Sequence, residues 1–359
     1  LESQSEGSQC DGWPLIKMPW TPEATYGWLP SVEDLESAAP PIGDFLEVGS
    51  RWNGAKLHVY SEGSPDLPVI VIIHGAWCNL RDWSSSRFFL TAVASGRYRL
   101  VVFDRPGHGY SEVPNGQVAI SPQEQASLFW DALEELNIEM PCVLVGHSWG
   151  ATVAIEMAAS QPRSISLLVL CSPGRLHGAG DTCCCRALGC CCACVGCPAT
   201  LRRVLRQPCI HCCGLWALTQ GINVGFSPVE LPRDYRALAA PFLLLRDCAL
   251  ETGFRELYAP ASCLYAERSG SHLLAAFELP RSAVVVGELD RVSPVREAEA
   301  ARDLLVNAGA TNVSLEIIAG ASHQSIFWNQ GDELFSIIDR LVSERRSPSM
   351  ESGPIQQVM

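Results

Sequence analysis

The stretch "CVLVGHSWGATVAIEMAASQP", residues 142–162, sets Ser148 between Gly146 and Gly150, with an apolar run before it and an alanine-rich run after it. Gly-x-Ser-x-Gly between a buried strand and a helix is the nucleophile-elbow pattern, a strained turn with little room beside the serine. A serine hydroxyl is a weak nucleophile at neutral pH and needs a base, and the base needs a carboxylate to hold its tautomer. On such an elbow the three follow in the order serine, acid, histidine. Downstream, "VVVGELDRVSP" puts Asp290 just past a strand end, with Glu288 the weaker alternative, and "IIAGASHQS" puts His323 just past the last strand. Ser148, Asp290 and His323 are therefore the expected catalytic set. An oxyanion hole would need two amides. The first is the N–H of Trp149; the second is that of Ala76 in "HGAWCNLRDW", with Trp77 as the alternate. His147 is read as packing beside the elbow, without a chemical role.

The elements that must carry these residues are legible as an alternation. "VIVII" (69–73), "RLVVFD" (99–104), "CVLVG" (142–146), "LLVLC" (167–171), "AVVVG" (283–287) and "VSLEIIA" (313–319) are apolar, largely β-branched runs of the kind that fill parallel strands. Helical patterns fall over 121–136, 149–161, 294–307 and 324–342, and "FLEVGSRWNGAKLHVYSEG" is a hairpin around Asn53-Gly54. The fold class is α/β, a mostly parallel sheet with helices on both faces. Residues 1–44 form a loosely ordered lead-in, 45–173 and 281–342 the core, 174–280 an inserted cysteine-rich subdomain, and 343–359 a disordered tail.

The net charge of −13, with no Lys/Arg cluster standing out, weighs against a nucleic-acid partner. No run of about 20 apolar residues calls for a transmembrane helix. The chain opens "LESQSEG" without a methionine, so a preceding targeting peptide stays open. A cytoplasmic location is expected, with peripheral membrane contact as the other reading.

Five motifs in order, His74-Gly75, "DRPGHGYS" (104–111), "GHSWG" (146–150), "GELD" (287–290) and "GASH" (320–323), resemble those of the α/β-hydrolase superfamily over residues 45–342, the insertion apart. The resemblance implies an α/β-hydrolase fold, with the insertion as a cap and no cofactor. It also implies hydrolysis of a carboxylic ester or thioester through an acyl-serine. Epoxide hydrolases and haloalkane dehalogenases of that superfamily carry an aspartate at the position of Ser148, which weighs against those activities. Proline iminopeptidases share Ser-Trp-Gly but have Gly-Gly-Pro-Gly after the histidine, where this chain has "GAWC". An aminopeptidase of that type and a non-catalytic hydrolase-fold binding protein are the alternatives, beside haloperoxidase-like or C–C bond chemistry. In the family "DRPGHGYS" is a structural turn, so Asp104 and His108 are read as structural, and Asp82 as a helix cap. Leu215, Trp216, Leu218, Phe226, Phe242 and Leu243 in the cap suggest an apolar or acyl substrate, though helical packing accounts for them at least equally.

Eleven of the 17 cysteines lie between Cys183 and Cys213. "CVGC" (194–197) and "CIHC" (209–212) have a spacing compatible with tetrahedral zinc, but pairs so spaced arise easily in so dense a run. Arg186, Arg202, Arg203 and Arg206 beside the cluster suit reversible S-acylation at a membrane. Reduced cysteines or local disulfides without a specific role are the third account. No stoichiometric metal is expected, and elemental analysis of the purified chain giving roughly one zinc per molecule would contradict this.

Overall fold

The computed structural model describes residues 40–114, 121–174, 224–238, 279–310 and 312–346. Within them the apolar runs pair into one sheet of eight strands: β1 (Asp44–Glu47), β2 (Lys56–Glu62), β3 (Val69–Ile73), β4 (Arg99–Phe103), β5 (Cys142–His147), β6 (Ile165–Cys171), β7 (Ser282–Gly287) and β8 (Val313–Ile318). The spatial order is β1-β2-β4-β3-β5-β6-β7-β8, parallel from β4 through β8, with β2 antiparallel to both its neighbours. The Asn53-Gly54 turn, with φ of 54° and 65°, joins β1 to β2, as that dipeptide's tolerance of left-handed backbone allows.

The helices are α1 (Leu80–Ser84), α2 (Arg87–Ala94), α3 (Pro122–Glu135), α4 (Trp149–Ser160), α5 (Arg233–Leu238), α6 (Val295–Asn307), α7 (Ser325–Trp328) and α8 (Gly331–Arg346). β3 shows why the central strands read as unbroken apolar runs. Val71 and Ile73 face one core with Phe129 and Leu133 of α3 and Ile155 of α4, while Ile70 and Ile72 face another with Trp83, Phe88, Phe327 and Ile338. Burial on both faces removes the polar alternation of a half-exposed strand.

Several boundaries differ from the sequence reading. Between β3 and β4 the chain forms α1 and α2, of which the sequence reading names only Asp82 as a helix cap. The helix expected over 324–342 is two helices, α7 and α8. Gly331, at the start of α8, lies so close to α2 that a β-carbon there would stand 2.0 Å from the Phe88 nitrogen. Residues 343–346, expected in a disordered tail, are the last turn of α8, where Glu344 pairs with Arg340 (3.3 Å) and with Arg281. Part of the insertion also belongs to the core, since Phe226, Leu231 and Tyr235 pack into the same cluster as Trp83 and Phe327. Phe226 is 1% exposed, its ring taken up by this packing. Residues 1–39, the cysteine cluster, the other named aromatic and aliphatic cap residues, and 347–359 lie outside the described residues.

The structural readings of Asp104 and Asp82 agree with their contacts. Asp104 accepts hydrogen bonds from His58 Nδ1 (2.6 Å) and the amides of Leu80 (2.6 Å) and Tyr110 (2.9 Å), which ties β2 and α1 to the turn after β4. Burial alone would raise its pKa, but His58 and the amide donors outweigh that and hold it below the ordinary carboxylate value. Asp82 closes a capping box at the start of α1, accepting from the Asn79 amide at 2.6 Å. Here burial wins and the carboxyl is pushed up to about 7.

Two outcomes follow. Gly146 and Gly150 flank the β5–α4 junction, where a β-carbon at Gly150 would stand 2.3 Å from the Ile73 oxygen and one at Gly146 2.6 Å from the Gly150 oxygen. Gly150→Ala should cost about 1–3 kcal/mol or more by overpacking, read from denaturant titration, and a variant as stable as the parent would refute the close approach. For Asp82 the folded pKa lies above the unfolded value of 3.8, so the folded state holds a proton that the unfolded chain has lost. Its contribution therefore lowers stability as pH rises from about 4 to about 7 and is level above that. Asp82→Asn should flatten this part of the pH–stability curve, and an unchanged slope would contradict the assignment.

Candidate active site

Ser148 stands between the last residue of β5 and the first of α4 with φ 51° and ψ −120°, a left-handed backbone for a residue with a side chain. Its amide donates to the Cys171 carbonyl of the neighbouring strand at 3.0 Å, which anchors the turn to the sheet edge. The loop after β3 crowds it from the other side. A β-carbon on Gly75 would come within 3.0 Å of Ser148 Cβ. Ser148 is half-buried.

Asp290 and His323 are brought together. The strand β7 ends at Gly287, whose missing side chain leaves room for the Ala321 carbonyl, 2.4 Å from where a β-carbon would be. The Leu289 amide bonds that same carbonyl at 2.8 Å, so the loops after β7 and β8 lie against each other. His323 Nδ1 donates to Asp290 Oδ2 at 2.9 Å, both side chains being buried. Asp290 Oδ1 accepts the amides of Val292 (2.9 Å) and Ser293 (2.7 Å). Burial would raise the Asp290 pKa, but His323 and the Ser293 amide outweigh it and hold the carboxyl below the ordinary value, ionised beside the imidazole. Glu288 is exposed and accepts the Gly320 amide at 3.0 Å, a loop contact and not a partner for His323.

The hydrogen bonds of the described residues join His323 to Asp290 and none joins it to Ser148. The Trp149 amide opens α4, where first-turn N–H groups have no intrahelical acceptor. Ala76 and Trp77 follow the glycine that touches Ser148, and Trp77 has a left-handed φ of 54°. Their loop is held from beneath. The buried Arg105 donates through Nη2 to the Gly75 carbonyl (3.1 Å) and through Nη1 to Gln125 (3.1 Å), while its amide donates to His74 Nε2 (2.9 Å). Burial and Arg105 push the His74 pKa well down, in keeping with a neutral ring that accepts at Nε2 and donates from Nδ1 to the Gly75 carbonyl at 2.8 Å.

Two sets of contacts around His323 lie beyond the sequence reading. His147 is more than packing, because its Nε2 is 3.0 Å from the His323 carbonyl oxygen. In the insertion, the Gly225 carbonyl accepts from Ser322 Oγ (3.0 Å) and the Gln324 amide (2.8 Å), the two residues flanking His323. Nothing local in the sequence signals either one, since each joins segments far apart in the chain.

Comparison with known proteins adds the following. The alpha/beta hydrolase family matches residues 70–337. Epoxide hydrolase 1 of Caenorhabditis elegans is 32% identical over 117 residues, 33% of this chain and 28% of that protein. Protein phosphatase methylesterase 1 of Mus musculus is 28% identical over 160 residues, 44% of this chain and 37% of that protein. The chain thus matches well under half the length of these relatives. Among solved structures, a carboxylesterase from the thaumarchaeon Nitrososphaera gargenis superposes with a TM-score of 0.60 at 18% identity, covering 84% of this chain and 100% of that one.

Proposed function

This chain belongs to the alpha/beta hydrolase family, and on that premise we propose that it hydrolyses a carboxylic ester or thioester through an acyl-serine on Ser148. The observation that carries the reading is the buried His323–Asp290 hydrogen bond, 2.9 Å long, at the sheet edge where Ser148 stands in its strained turn. With Nδ1 committed to Asp290, Nε2 is the nitrogen left to move protons. His323 takes the Ser148 proton as Oγ bonds to the carbonyl carbon. It returns that proton to the departing alcohol or thiol as the C–O or C–S bond breaks. Water, deprotonated by His323, then attacks the acyl carbon and releases the acid and Ser148. The amides of Ala76 and Trp149 would face the oxyanion, where losing one such donor typically costs about a hundredfold or more in rate. Catalytic hydrogen bonds are often long before substrate binds, which accommodates the unmade Ser148–His323 contact.

The serine also separates this chain from the activity in the name of the C. elegans relative. A serine that opened an epoxide would be left as an alkyl ether, with no carbonyl for water to attack. A serine acylated by an ester or thioester keeps that carbonyl and turns over. Exposed Leu289 and Val292, on either side of Asp290 in sequence, support an apolar acyl group, and Arg291 Nη1 to Ser227 Oγ (3.3 Å) brings the insertion beside them.

A fluorophosphonate probe should label the wild type and spare Ser148→Ala, and p-nitrophenyl esters of increasing acyl length should be turned over only by the former. Equal labelling of the two would remove the assignment. Asp290→Asn should lower kcat by about three to four orders of magnitude while still folding, because the imidazole loses its tautomer. Glu288→Gln should stay close to wild type.

A further inference from the structure

The segments carrying Ser148 and His323 are joined directly by the residue before the serine. His147 ends β5 and places Nε2 3.0 Å from the His323 carbonyl oxygen. A carbonyl can only accept, so Nε2 carries the proton. Nδ1 points at Gly75, where a β-carbon would be 3.1 Å away, and is buried with no hydrogen-bond partner. The ring is enclosed by aromatic groups, with centroids 6.0 Å from Trp83, 4.9 Å from Phe327 and 4.9 Å from His323. Burial first, and the nearby His323 second, lower its pKa to about 3, so the imidazole stays neutral and adds no charge against a protonated His323.

We propose that His147 is a positioning residue for the base: its Nε2–H holds the main chain of His323 in register with the strand that presents Ser148. The proposal rests on the reading of Ser148 and His323 as nucleophile and base. The residues flanking His323 are held by the Gly225 carbonyl, through Ser322 Oγ at 3.0 Å and the Gln324 amide at 2.8 Å. Asp290 then fixes the ring through Nδ1. These restraints act together on the segment that carries His323, and the one from β5 comes from the residue next to Ser148.

The test compares His147→Leu, which removes the donor, with His147→Gln, whose side-chain amide keeps an N–H for the same carbonyl, and with Ser148→Ala, all in the full chain. Readouts are kcat and KM on a p-nitrophenyl ester, the pH–rate profile, thermal stability, and the low-field proton signal of the His323–Asp290 hydrogen bond by NMR. The leucine variant should lose about 10- to 100-fold in kcat with little change in KM, as misplacement by about an ångström does. Its acid limb should shift and its low-field proton should broaden. The glutamine variant should recover most of the rate and the signal. Should the leucine variant not fold, recovery in the glutamine variant supports the role, and its failure to recover overturns it. The role is also overturned if the folded leucine variant keeps the wild-type rate, or if both variants lose rate equally and only in step with thermal stability. Wild-type turnover by Ser148→Ala would instead overturn the underlying reading, whatever the His147 variants do.

Discussion

At Ser148, the single residue between a strand and a helix, the chain takes a left-handed conformation that costs a side-chain-bearing residue about 1–3 kcal/mol. Such a turn persists where its surroundings leave no alternative. Gly150 abuts the carbonyls of Ile73 and His74, Gly146 abuts the first turn of α4, and Gly75 abuts Ser148 itself. The parallel pairing of β3 with β5 makes these approaches unavoidable, because both strands end at the same edge and their following loops share one space. The crowding that fixes the serine also fixes Gly75 and the loop that continues from it into residues 76 and 77. One steric constraint thus shapes both the elbow and its neighbour loop.

Among the described residues two buried carboxylate–histidine pairs sit on this scaffold, and their surroundings separate them. Asp104 is saturated by His58 and two backbone amides, with both partners 1% exposed, so the pair fastens a turn inside the core. Asp290 also takes backbone amides, but its histidine belongs to a loop at the sheet edge, beside the strand end that bears Ser148. In both cases donors outweigh desolvation and keep the acid ionised, as a buried carboxylate requires. The same electrostatics fastens a turn in one place and orients a histidine at the sheet edge in the other.

The described part of the insertion belongs to the core. Its residues 224–238 contribute Phe226, Leu231 and Tyr235 to the core and reach the loops of both Asp290 and His323. This stretch therefore behaves as part of the body that holds His323. Apolar residues in an insertion carry no mark that distinguishes a ligand wall from a core plug. Phe226 was legible as apolar in the sequence, and only its packing against Tyr235, with ring centroids 4.8 Å apart, decides its use.

The sequence by itself determined the strands, the elbow and the candidate acid and histidine. Strands buried on both faces leave unbroken β-branched runs, and an elbow leaves glycines at a fixed spacing. Asp290 and His323 were legible because each follows such a run directly. Choosing Asp290 over Glu288 as the histidine's partner rested on two residues of offset, and the tertiary structure settled which carboxylate meets the imidazole by turning the loop at Gly287 against Ala321. Tertiary structure alone revealed the restraints on His323. The His147 bond spans 176 residues and the Ser322–Gly225 bond 97, and a hydrogen bond to a backbone carbonyl asks nothing of the side chain at the accepting end. Local pattern records what neighbours along the chain require of each other, whereas these contacts exist because the parallel strands β5 and β8 end along the same edge of the sheet.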